Sequence, residues 1–156
     1  MRNLLFAASA AVIFVAISVT GTSASEERTW YLGGDERDPY LAFGNPDLGE
    51  NALLLICNNR KKIAELSVAD QSKGAKAGQA VTIELASANA RASFSGKTVR
   101  SAGVYGYARK IDFDAVTAML RAPGAVTVAM GSNAYTLHDK GRAKAVADLA
   151  GACALK

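Results

Sequence analysis

Few residues in this chain have types and spacings that bear on chemistry. Its two cysteines are Cys57, which closes the apolar run "ALLLIC", and Cys153, at the end of "GRAKAVADLAGAC". Neither sits in a C-x-x-C pair, so the spacing points to a structural disulfide and not to redox work. His138 is the single histidine. That excludes a multi-histidine metal site and the H-E-x-x-H helix. A Ser-His-Asp triad would have to run through His138, and no G-x-S-x-G accompanies it. "SGKT" at Ser95 to Thr98 resembles the end of a phosphate loop, but Arg91 stands where the first glycine is required. Because it lies between two strand-like runs, it reads as a hairpin turn. The early acids Asp35, Glu36, Asp38, Asp47 and Glu50 lack calcium-loop spacing and read as a solvated loop. The expectation is a non-enzyme with no catalytic residue, no metal and no cofactor.

The remaining chemistry is recognition. In "GVYGYARK", a strand would put Tyr105, Tyr107 and Arg109 on one face and Val104, Gly106 and Ala108 on the other. Tyrosine and arginine combine apolar area with polar tips and are favoured at binding hot spots. With Lys110 beside them, these residues form the candidate binding surface. Charge is uneven along the chain: Glu26 to Glu50 holds seven acids against two bases, and Asn51 onward fifteen bases against seven acids. Basic clusters fall at Arg60-Lys61-Lys62, Arg109-Lys110 and Lys140/Arg142/Lys144. Such charge suits an anionic glycan, lipid or protein partner. No nucleic-acid module is recognisable, so nucleic acid is not an expected partner.

These residues need elements to position them. Residues 1–25, "MRNLLFAASAAVIFVAISVTGTSAS", have a basic start, an apolar core and small residues at a cleavage site. They read as a cleaved signal peptide, too short in its apolar stretch to span a bilayer stably. The expectation is one exported domain over 26–156, periplasmic or secreted, with no stable membrane insertion once the signal is removed. Short β-rich runs follow at regular spacing: "TWYL", "YLAF", "ALLLIC", "KIAELSV", "AVTIELA", "ARASFS", "VYGYARKI", "AVTVAM" and "AYTLH". That pattern predicts a mainly β, antiparallel sandwich or barrel. Two short helices interrupt it. "DFDAVTAMLRAPG" is capped by Asp112 and buries Phe113, Val116, Met119 and Leu120. The C-terminal helix has Asp139 as its candidate cap and turns Ala143, Val146, Leu149 or Ala150, and Cys153 to one side. A Cys57–Cys153 bond would then fasten that helix to the core.

Trp30, Cys57, the "AMLRAPGAVTVAMGSNAYTL" block and Cys153 together resemble the invasion-associated locus B family and the type VI secretion accessory protein VasI. The first of these carries more cysteines than this chain does. The resemblance implies a small β-rich envelope protein that binds another protein or a cell-wall component without catalysis. A second resemblance, through "FSGK", is to periplasmic lysozyme inhibitors, which would insert a loop into a glycosidase cleft. A hydrolase with an unrecognised site is the third reading.

Overall fold

Alternation along the strands decides which side chains meet, and cross-strand register then extends each choice across the sheet. The computed structural model describes residues 28–72 and 74–155. The expected signal peptide at 1–25 lies outside these. The nine expected strands are all present: β1 (Thr29–Gly33), β2 (Tyr40–Asn45), β3 (Glu50–Asn58), β4 (Ile63–Ala69), β5 (Ala80–Ala86), β6 (Arg91–Arg100), β7 (Val104–Ile111), β8 (Val126–Met130) and β9 (Asn133–Leu137). The helices are α1 (Phe113–Arg121) and α2 (Arg142–Ala152). All strands join one antiparallel sheet in the order β1-β2-β3-β4-β7-β6-β5-β8-β9. The fold is therefore mainly β with two helices, a single sheet curled into a half-barrel and not two stacked sheets.

One row of direct partners runs through Trp30, Phe43, Leu53, Val68, Gly106 and Thr98. All six are buried, and all but Gly106 and Thr98 are hydrophobic. Both helices pack on this inner side. Val116, Met119 and Leu120 of α1 join Ala145, Val146 and Leu149 of α2 in the same core cluster. Asp112 caps α1 as its position predicts, accepting a bond from the Ala115 amide at 3.0 Å.

The two outer edges of the sheet meet through side chains. Trp30 Nε1 on β1 donates to the His138 carbonyl at 2.6 Å, just beyond β9. His138 Nε2–H donates back to the Arg28 carbonyl at 3.0 Å, and its ring stands edge-on to Phe43. The lone histidine is thus committed to this seam.

Cys57 and Cys153 are bonded, with Cα atoms 5.7 Å apart and a sequence separation of 96. Asn59 reinforces the joint. Its Nδ2 donates to the Ala152 carbonyl and its Oδ1 accepts from the Ala154 amide, at 3.1 and 2.7 Å. Lys62 Nζ donates to the Ala154 carbonyl.

Three expectations are corrected. Asp139 does not cap α2. The cap is Gly141 at φ +83°, which makes no side-chain bond, and the Asp139 carboxylate accepts instead from the Gly124 amide. Ser95 to Lys97 form no hairpin turn, because β6 runs straight through them. Gly96 is needed there for close approach: a Cβ at this position would lie 2.4 Å from the Tyr107 carbonyl oxygen of β7. Arg142 belongs to no basic surface. It is 1 % exposed and donates to the carbonyls of Leu120, Ala122 and Gly124. A cation at the start of α2 therefore satisfies the orphan carbonyls that end α1.

Candidate functional site

Register carries the outer face as it carries the core. Tyr31, Ala42, Leu54, Ser67, Tyr107 and Lys97 form one row of direct partners across six strands. A parallel row holds Gly33, Tyr40, Ile56, Glu65 and Arg109, and a shorter one Ala69, Tyr105 and Val99. Tyr31, Tyr40, Leu54, Ile56, Tyr105 and Tyr107 are half-buried, although nothing from the described helices covers this face. They shelter one another. The Tyr31 and Tyr40 rings meet edge-on at 6.3 Å, and the Tyr40 ring lies over Gly33, where a Cβ would come within 2.4 Å of it.

The Tyr-Arg strand forms as predicted. Tyr105, Tyr107 and Arg109 point outward, while Gly106 and Ala108 enter the core. Arg109 Nε donates to Glu65 Oε1 at 2.9 Å, with Glu65 8 % exposed. Burial and the neighbouring Glu65 carboxylate push the Tyr107 phenol up to about 12. Glu65 is thus the fixed point that holds Arg109, and with burial it delays the ionisation of Tyr107 to strongly alkaline pH. Side chains held in this way lose less freedom on binding.

Lys110 is set apart from these three. Between β4 and β7 the register shifts, so that Ala64 opposes Ile111 and Glu65 opposes Arg109. Lys110 is the extra residue of a β-bulge, at φ +55°. It lines a separate cleft of about 670 Å³ beside the disulfide, between the end of the β4–β7 pair where β4 starts and β7 finishes, α1 and the end of α2. Strand periodicity alone could not find this cleft, because its walls come from three segments far apart in sequence, around Lys62, Lys110 to Arg121, and Ala150 to Leu155. The available signals were the basic turn at Arg60 to Lys62 and Lys110 in the second basic cluster.

"FSGK" lies within β6, paired to β5 on one side and β7 on the other. It provides no projecting loop to enter a glycosidase cleft. Among the described residues, no three His, Cys, Asp or Glu side chains are grouped to hold a metal ion. No described helix is long and apolar enough to cross a membrane.

Fold and surfaces together define a disulfide-tied antiparallel half-barrel with an open outer face. No family model, curated protein or solved structure matches the chain.

Proposed function

We propose that this is an exported, non-catalytic binding protein whose outer sheet face docks onto another envelope protein. A cell-wall component is the other candidate for the same face. One observation carries the reading: the half-buried row Tyr31, Leu54, Tyr107 and its neighbours Tyr40, Ile56 and Tyr105 spans several strands with neither described helix packed over it. Aromatic and aliphatic groups bordered on the β7–β6 side by the exposed Arg109 and Lys97 have the apolar centre and polar margin of a protein interface. Export is supported by the disulfide, a bond that persists in oxidising compartments.

The test is capture from the envelope fraction of the source cells with the oxidised domain, beside a Tyr105→Ala/Tyr107→Ala/Arg109→Ala variant checked for unchanged circular dichroism. A partner identified by mass spectrometry with the parent and lost with the variant supports the reading. Equal capture by both overturns the assignment to this face.

A further inference from the structure

We infer that the cleft beside the disulfide binds a single-chain amphipathic anion, an acyl chain ending in a carboxylate. The apolar part of its lining is half-buried and comes from Ile111, Phe113 and Leu155, which also pack against the core. The charged part is exposed: Lys62, Lys110 and Arg121 all lie on the rim. Two carboxylates line the cleft as well. Asp112, engaged as the α1 cap, and Asp114 together offset two of the three cations and leave the lining with a net positive charge. A volume of about 670 Å³ falls within the range of about 300–1,000 Å³ that holds small ligands. A greasy floor under a net cationic rim complements a chain with one anionic end.

Backbone geometry singles out the same place. Lys62 and Lys110 are the only non-glycine residues at positive φ among those described, at +53° and +55°, and both line this cleft. A side chain in that region costs on the order of 1 kcal/mol, and such strain gathers at ligand sites. Glycine or asparagine would relieve it, yet both positions carry a cation. Lys62 also holds the Ala154 carbonyl, so the tail that supplies Leu155 to the floor is tied to the rim.

The test is calorimetry on the oxidised domain with dodecanoate, beside dodecanol as the same chain without charge and sulfate as charge without a chain. Dodecanoate is expected to bind about tenfold or more tighter than either control. Lys110→Asn keeps a residue at ease with positive φ and removes the charge. It should weaken dodecanoate about tenfold, with an unchanged or raised Tm. Tyr105→Ala/Tyr107→Ala should leave dodecanoate affinity unchanged, which separates this site from the outer face. Dodecanol binding as tightly as dodecanoate, sulfate binding as tightly, no binding at all, or indifference to Lys110→Asn would each overturn the inference.

Discussion

On strand β7 the inward face carries Gly106 and Ala108, while the outward face carries Tyr105, Tyr107 and Arg109. Small residues face the place where the molecule is fullest, and the large ones face away from it. A Cβ on Gly106 would lie 2.2 Å from Met130 Sδ and 3.3 Å from the Ile83 side chain, so the interior leaves β7 no room for a side chain there. Outside, the two tyrosines have only their cross-strand neighbours for shelter. The contrast teaches that residue size along one strand separates two tasks: the inner side sets stability, and the outer side is free to be spent on recognition.

If that division holds, changes on the inner side should be costly and those on the outer side cheap. The largest effect should follow Cys57→Ser/Cys153→Ser. Opening a loop of this length costs about 3–5 kcal/mol in the chain-entropy picture, read as a drop in urea midpoint. A loss below about 1 kcal/mol would mean that Asn59 and Lys62 hold the α2 end without the bond. Next comes Arg142→Met, which strands the carbonyls ending α1 and should cost about 2–4 kcal/mol. Gly106→Val should cost about 1–3 kcal/mol through overpacking, since Met130 can yield only in part before Ile83 is met. A neutral Gly106→Val would break the comparison.

The smallest effect should come from the outer face. Tyr107→Phe is expected to change stability by no more than about 0.5 kcal/mol at neutral pH. Its signature is alkaline. The phenol is raised from 10.0 to about 12 in the folded state, so its contribution is complete below about pH 10. Between about pH 10 and 12 only the unfolded chain gives up the proton, and stability falls as pH rises. Tyr107→Phe should flatten that part of the stability profile. An identical slope in both proteins would show that Glu65 and burial do not hold the proton on Tyr107.

Much of the fold was legible because its signals are local. Strand runs such as "AVTIELA" alternate, Asp112 announces α1, and two cysteines with no redox motif find each other. The misreadings arose where distant segments override local preference. Ser95-Gly96-Lys97 looks like a turn, but its glycine serves the approach of Tyr107 from the neighbouring strand. Arg142 looks like surface charge, but the end of α1 arrives with carbonyls that need donors. Lys110 looks like a continuation of the Tyr-Arg face, but a bulge against β4 sends it to the cleft. Asp139 precedes a helix and would cap it, except that Gly124 claims its carboxylate.

The Cys57–Cys153 bond also orders events in time. Every element from β4 to α2 lies between the two cysteines. As the chain is made, Cys57 has no native partner until six strands and both helices have followed it. The finished bond therefore records that the whole sequence between has been delivered, and a chain halted before α2 carries a lone thiol that distinguishes it from the completed protein.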